Sequence, residues 1–244
     1  MKKLNIVLPI SGSGQRFVEK HYQDPKPLIY VKNLRMIELV LKNINYTQAN
    51  YIFIVRQEHL DNYNLKEILE RNTNNPTIIP VSKTTEGAAC SCLLAKNYIN
   101  NYNPLFIING DQYIEMDFSQ YFNEMFESNS DGSIITFPTE NDKKWSYVSL
   151  NENGFINEVR EKEPFSNLAT VGAYYWSKGV DFVNSAEEMI KLKLKTNSEY
   201  YLAPSYNQLV NKNKKIIPYI ISKDQFHGIG TPEDLEKFIS NNII

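Results

Sequence analysis

The chain has 244 residues, of which 42% are hydrophobic and 22% charged, and its formal net charge is −2. With only 10 Gly, 11 Pro and 2 Cys, this composition excludes a disordered tail, a collagen and a small disulfide scaffold. The near-balanced charge argues against a general nucleic-acid binder, which carries a clear basic excess.

The start MKKLNIVLPI has too short an apolar run for a signal peptide, and a glycine-rich segment follows where a cleavage site would stand. No run of 18 apolar residues occurs, so no membrane span is expected and the cytoplasm is the default compartment. Leu4 to Ile10 reads as a strand, Met36 to Asn43 as a helix, Tyr51 to Val55 as a strand and Leu60 to Leu69 as a helix. Thr77 to Val81 is a third strand, Glu86 to Ile99 a helix and Leu105 to Ile108 a fourth strand. Strands separated by helices in this order imply right-handed βαβ units around a buried, mostly parallel sheet. Cys90 and Cys92 fall on one predicted helix with no ligand partners nearby, and are expected to be inert buried thiols.

From Gly132 the texture changes. Gly132 to Phe137 is a strand, and Tyr147 to Leu150 and Phe155 to Val159 flank a turn at Asn151 to Gly154 that signals a hairpin. Thr170 to Trp176 and Ile216 to Ile221 are further strands, Val180 to Lys191 a helix, and a last helix starts near Pro232 with Thr231 as its cap. The alternating Lys191 to Lys195 reads as a solvated helix end. No linker or repeat interrupts the chain, so residues 1–244 read as one domain, a parallel half followed by a mixed, hairpin-containing half.

The most informative segment follows the first strand. Pro9 and Ile10 lead into Ser11, Gly12, Ser13 and Gly14, a turn whose free amides and missing side chains suit a phosphate. A Walker loop would need Gly-Lys-Ser/Thr and a dinucleotide fingerprint a third Gly, but Gln15, Arg16 and Phe17 follow instead. Arg16 offers a planar fork of donors, and Lys26, held between Pro25 and Pro27, a point charge. Two cations beside a glycine loop suit a triphosphate attacked at its α-phosphorus.

The string Gly-x-Gly-x-Arg followed by Pro-Lys-Pro resembles the signature of the sugar-phosphate nucleotidyltransferases, the NDP-sugar pyrophosphorylases and related cytidylyltransferases. Later strings match that family in order over nearly the whole chain, and EGAA and GTPEDL look like its capsular-polysaccharide branch. The resemblance implies a Rossmann-like, glycosyltransferase-A type, three-layer α/β/α fold with a mostly parallel central mixed sheet. It implies a nucleotide-binding half at about 1–115 and an acceptor-binding half at about 116–244. It also implies an NTP and a small phosphorylated metabolite as partners, Mg²⁺ as cofactor, and a homo-oligomer, with neither nucleic acid nor membrane involved.

Residue by residue, the resemblance puts the nucleotide against Pro9, Ser11, Gly12, Ser13, Gly14, Lys83, Glu86, Gly87, Ala88 and Gly110. Relatives for uracil or thymine often carry a Gln shortly before this Gly, where Ser82, Lys83, Thr84 and Thr85 stand here. These are mostly donors, and cytosine presents acceptors, which leans toward CTP with UTP and dTTP open. Asp111 follows the fourth strand, where open α/β sheets place ligands, and its carboxylate suits Mg²⁺. Arg16, Lys26 and Asp111 are the expected catalytic set. Glu161 is expected to accept hydrogen bonds from acceptor hydroxyls, Lys162 to hold the acceptor phosphate, and Tyr147, Gly172 and Tyr174 to complete that side.

Two departures stand out. Glu163 is inserted before Pro164 in the family's Glu-Lys-Pro element, and Gly228 stands where many members carry a second metal-binding acid. Asp224 is a candidate substitute, while His227 reads as structural. Tyr113, Trp145, Tyr200 and Tyr201 are candidate pocket walls. Two other readings stay open. A glycosyltransferase of this fold would want Asp-x-Asp where Asp111, Gln112 and Tyr113 stand, and a non-catalytic nucleotide-sugar binder would not need Arg16, Lys26 and Asp111 together.

Overall fold

Apolar runs that alternate with amphipathic stretches build the first half, in a computed structural model that describes residues 3–140 and 142–243. Met1 and Lys2, the basic start of the MKKLNIVLPI segment, lie outside the described residues, as do Asn141 and Ile244. The chain begins with β1 (Leu4–Ile10), the short α1 (Gln15–Glu19), the two-residue strands β2 (Tyr30–Val31) and β3 (Leu34–Arg35), and α2 (Met36–Ile44). Next come β4 (Ala49–Arg56), α3 (Gln57–Asn62), α4 (Leu65–Asn72), β5 (Thr77–Val81), α5 (Ala88–Leu93) and α6 (Lys96–Ile99). Strands β6 (Leu105–Ile108) and β7 (Gln112–Ile114) lead to α7 (Phe118–Glu127). The second half runs β8 (Gly132–Pro138), β9 (Ser146–Leu150), β10 (Ile156–Glu161), β11 (Leu168–Trp176) and α8 (Gly179–Lys191). It ends with α9 (Tyr206–Val210), β12 (Ile216–Ile220), β13 (Phe226–Gly228) and α10 (Pro232–Ser240).

The main sheet has the order β10-β9-β11-β6-β1-β4-β5, with β8 beside β11 and β12 beside β8. β1 runs parallel to β4 and β6, and β4 parallel to β5, as the βαβ reading requires. β11 is antiparallel to β6, β8 and β9, so one strand joins the parallel part to the hairpin-containing part. Leu4, Ile6 and Leu8 of β1 enter a core shared with Ile37, Val40 and Phe122 of α2 and α7. Val7 enters the opposite core with Ala89 of α5 and Phe182 of α8. Helices thus cover both faces, and a third cluster joins Phe17 and Ile29 to Ile229, Leu235 and Phe238, seating the glycine-loop segment on α10.

Several boundaries differ from the sequence reading. The helix read at 60–69 is two, because Tyr63 is extended (φ −138°, ψ 156°). The helix read at 86–99 begins only at Ala88, since Gly87 (φ 130°) lies outside helical space, and it breaks before Lys96. Helix α7 went unread, although Asp117 caps it through the Ser119 and Gln120 amides and Phe118, Tyr121, Phe122 and Met125 form its buried stripe. Thr231 caps α10 as expected, accepting from the Asp234 amide at 3.1 Å. Cys92 is buried as expected, its thiol pushed up by that burial, whereas Cys90 is only half-buried, and both cysteines are free. No helix among the described residues is long and apolar enough to cross a membrane.

Candidate active site

The glycine loop and the proline-flanked lysine are packed on each other. Gly14 takes the left-handed conformation (φ 63°) that opens α1, and a Cβ on it would lie 2.9 Å from Lys26 Cβ. Lys26 is the first residue of a 3-10 turn closed by the Leu28 amide on the Pro25 carbonyl at 2.7 Å. That turn aims Lys26 at Asp111, its Nζ donating to Oδ2 at 2.5 Å.

Asp111 is carried just beyond β6, at the carboxyl end of the parallel strands. The final string of the chain closes over it: the Ile229 amide donates to the Asp111 carbonyl at 2.9 Å, and β13 pairs with β7 so that Gly228 faces Gln112. A Cβ on Gly230 would lie 2.5 Å from Asp111 Oδ2 and 3.4 Å from Lys26 Nζ, so that chain passes directly over the ion pair. Arg16 reaches the same cleft from α1 and has no ion-pair partner among the described residues.

The cleft has a volume of about 420 Å³, within the range of small-molecule sites. Its second wall comes from the hairpin and from β11. Ser146 of β9 hydrogen-bonds the Glu161 carboxylate at the end of β10. Burial raises the Glu161 carboxyl above the ordinary value; Ser146 and Lys162 work against that shift, while Glu199 adds to it. Lys162 stands in the left-handed region (φ 57°), a conformation that lets the chain leave the strand end sharply, and its Nζ donates to the Tyr201 hydroxyl at 2.6 Å. That hydrogen bond, ahead of the neighbouring acids, raises the Lys162 ammonium above its usual range. Gly172 (φ 77°) sits in a register shift of β11 between Thr170 and Tyr174, where a side chain would run into the Asn109 amide group.

Of the residues picked from the sequence, the cleft brings together Arg16, Lys26, Ala88, Asp111, Glu161, Lys162, Gly172 and Tyr174. Gly12 and Ser13 are exposed at the loop, and a Cβ on Gly12 would meet nothing within 4 Å. Ser11 is buried beneath the loop, and Pro9 lies half-buried in β1. Gly110 is packed so tightly on Ile10 that a side chain would overlap it. Lys83 is exposed on the turn after β5, outside the cleft lining. Thr85 spends its hydroxyl on the Gly87 carbonyl and Ser91. Glu86 turns outward to pair with Lys195. Gly87 lies against the backbone of Tyr200, where a Cβ would stand 2.5 Å from the carbonyl oxygen.

Tyr147 does not face the cleft. Alternation along β9 turns it into the core, fully buried, with its hydroxyl donating to the Asp142 carbonyl at 3.0 Å, and places Ser146 on the cleft instead. Among the aromatic candidates, Trp145 and Tyr201 line the cleft, whereas Tyr200 is buried and Tyr113 packs on Phe238. Sequence reasoning missed Asn109, Gln112, Lys144, Ser146 and Asp234 as lining residues. Asp224 belongs to a 3-10 turn beside a neighbouring cavity, and His227 is engaged by Glu115 at 2.6 Å. A third carboxylate at the cleft, besides those of Asp111 and Glu161, is that of Asp234, from the first turn of α10. Its Oδ2 lies 3.9 Å from the point where a side chain on Gly228 would begin. Asp111 and Asp234 at one cleft are a donor set that fits Mg²⁺, which takes one or two carboxylates together with phosphate oxygens and water.

Comparison with known proteins identifies the family and the fold. A profile of the family described as nucleotidyl transferase matches residues 5–241. A bifunctional protein GlmU from Methanococcus aeolicus is 25% identical over 238 residues, which cover 95% of this chain and 53% of that protein. A glucose-1-phosphate adenylyltransferase from Acetivibrio thermocellus is 33% identical over 200 residues, 72% of this chain and 46% of that protein. The chain thus spans about half the length of the curated relatives it matches. The crystal structure of a nucleoside-diphosphate-sugar pyrophosphorylase from Vibrio cholerae superposes with a TM-score of 0.81 at 22% identity, covering 96% of this chain and 99% of that one, and shows the same fold.

Proposed function

The chain belongs to the nucleotidyl transferase family, and from that premise we propose that it joins an NTP to a phosphorylated sugar or polyol, giving an NDP-linked product and pyrophosphate. The observation that carries this reading is the convergence of Arg16, Lys26 and Asp111 with Glu161 and Lys162 on one cleft. Cations at one end serve a triphosphate, and an adjacent acid and ammonium at the other serve an acceptor bearing both hydroxyls and a phosphate.

An oxygen of the acceptor phosphate attacks the α-phosphorus in line. The new P–O bond forms as the bond from the α-phosphorus to the bridging oxygen breaks, and that electron pair leaves with pyrophosphate. The acceptor phosphate is already an anionic nucleophile, so the protein's work is positioning and charge neutralisation. Lys162, steadied by Tyr201, holds the acceptor phosphate. Glu161, steadied by Ser146, takes acceptor hydroxyls. Lys26 and Arg16 meet the charge that develops on the transferring group and the leaving pyrophosphate. Asp111, with Asp234 in the same cleft, would hold Mg²⁺, whose contribution would be to screen the phosphate oxygens.

Residues up to about 115 are assigned to the nucleotide and those from 116 to the acceptor, except that Gly228 to Asp234 return to the phosphate end. The open space over Gly12 supports placing nucleotide there. The preference for a pyrimidine, CTP ahead of UTP and dTTP, rests on the donors Ser82, Lys83 and Thr84, which stand exposed and outside the lining of the cleft. The strings EGAA and GTPEDL support a place in capsule or surface-polysaccharide synthesis. The test is a matrix of four NTPs against phosphorylated sugars and polyols, scored by pyrophosphate release. Turnover with CTP above the other three is expected, and no release in any cell of the matrix would end the reading.

A further inference from the structure

Lys26 enters the cleft on a turn with few bonds of its own. Pro25 and Pro27 have no amide hydrogen to give. The turn is closed by the Leu28 amide on the Pro25 carbonyl at 2.7 Å and by the Ile29 amide on the Lys26 carbonyl at 3.3 Å. Its two ends are also joined by one side chain from outside. Nη1 of Arg35 donates to Oδ2 of Asp24, just before the turn, at 3.0 Å, and to the Leu28 carbonyl, at its end, at 2.5 Å.

Arg35 is itself held in place. Strand β3, which carries it, pairs with β2 so that Arg35 lies opposite Tyr30, and the guanidinium covers the Tyr30 ring at 4.0 Å from its centroid. The Arg35 amide donates to the Glu38 carboxylate at 2.9 Å in the first turn of α2, and Arg71 and Asn72 donate to the same carboxylate from α4. Ile37, Val40 and Leu41 root α2 in the core. Arg35 does not line the cleft, so it meets no substrate there.

We propose that Arg35 is a positioning residue of the transferase: by bridging both ends of the turn that carries Lys26, it sets where the Lys26 ammonium stands. The proposal rests on the reading of Lys26 as a cation that meets the triphosphate. A guanidinium suits the task, because its donors lie in one plane while its face stacks on a ring; an ammonium has no such face. The bridge holds Lys26 between two neighbours, the Asp111 carboxylate at 2.5 Å and the Gly14 backbone, where a Cβ would lie 2.9 Å from Lys26 Cβ. A released turn would let the ammonium leave both, and a misplacement of about 1 Å is worth about 100-fold in rate. An ion pair that served stability alone would be indifferent to the side chain at position 26.

The test is a double-mutant cycle on the full chain, scored by pyrophosphate release. Arg35→Ala is expected to lower kcat about 10- to 100-fold. The KM for the acceptor should hold, because Glu161 and Lys162 are untouched. In a Lys26→Met background the same substitution should change kcat by no more than about 2-fold, since its effect passes through Lys26. Asp24→Asn, which loosens one end only, should give a smaller loss that also vanishes in that background, and it carries the cycle if Arg35→Ala does not fold. A second readout needs no substrate. The ¹⁵N resonance of the Lys26 ammonium, identified by its disappearance in Lys26→Met, should carry the signature of an ion pair in the wild type and move to the free-lysine position in Arg35→Ala or Asp24→Asn. An unmoved resonance, an undiminished kcat, or a loss that persists in full beside Lys26→Met would each overturn the proposal. A resonance that moves in a protein that releases no pyrophosphate with any substrate pair would count against the transferase reading and leave the bridge standing.

Discussion

Lys26 and Asp111 neutralise each other at 2.5 Å, so in this structure the ammonium sits where a divalent cation would approach the carboxylate. Replacing Lys26 by Met is expected to lower kcat by about 100- to 1000-fold, the range for losing one transition-state donor, with the circular dichroism spectrum unchanged. The same variant frees Asp111, so binding of Mn²⁺ in the absence of nucleotide, followed by electron paramagnetic resonance, should tighten. A lysine that merely props up the fold would not move that second measurement. Glu161 makes a separate prediction. Its carboxyl is raised above the ordinary 4.5 by burial, so the unfolded chain ionises it first. The wild type should therefore lose stability relative to Glu161→Gln as pH rises from about 4.5 through the folded-state value. Paired urea titrations from about pH 4 to about pH 7 would show this, and a constant difference between the two proteins would count against it.

At the scale of elements, what could be read from the chain depended on how local the signal was. β1, β6, α2 and α8 announce themselves through their own periodicity, and the Thr231 cap with Pro232 announces α10. Arg16, Lys26 and Asp111 were found because each sits in a short string with its own chemical logic. Lys144, Ser146 and Asp234 were not, because they enter the cleft only through pairing partners distant in the chain. Ser146 and Tyr147 illustrate the point: the register against β10 decides which of the two faces the cleft, and a reading that leaves that register open favours the aromatic one. Asp234 reads locally as a first-turn helix acid, and only the folded chain brings it to the cleft that Asp111 lines. Thr231→Ala removes the acceptor for the Asp234 amide. A loss of about 1 kcal/mol is expected, seen as a melting shift of about 2–4 °C for a chain of this size. Pyrophosphate release should fall alongside, because the same turn carries Asp234.

For the whole molecule, β11 decides whether the two halves behave as one body. It is hydrogen-bonded to β6 on the parallel side and to β8 and β9 on the other, and it is buried along its full length. Far-UV circular dichroism and the fluorescence of Trp145 and Trp176 are accordingly expected to report a single coincident unfolding transition. Two separated transitions would mean that the parallel half holds without β11. The closure of the cleft by β13 and the first turn of α10 has a consequence for biosynthesis. Arg16 is synthesised well before Gly228, Gly230 and Asp234. Until those are made, the glycine loop and Asp111 stay uncovered, and Phe17 and Ile29 lack the α10 side of their packing. The cleft is therefore incomplete until Gly228 to Asp234 have been made and folded over it.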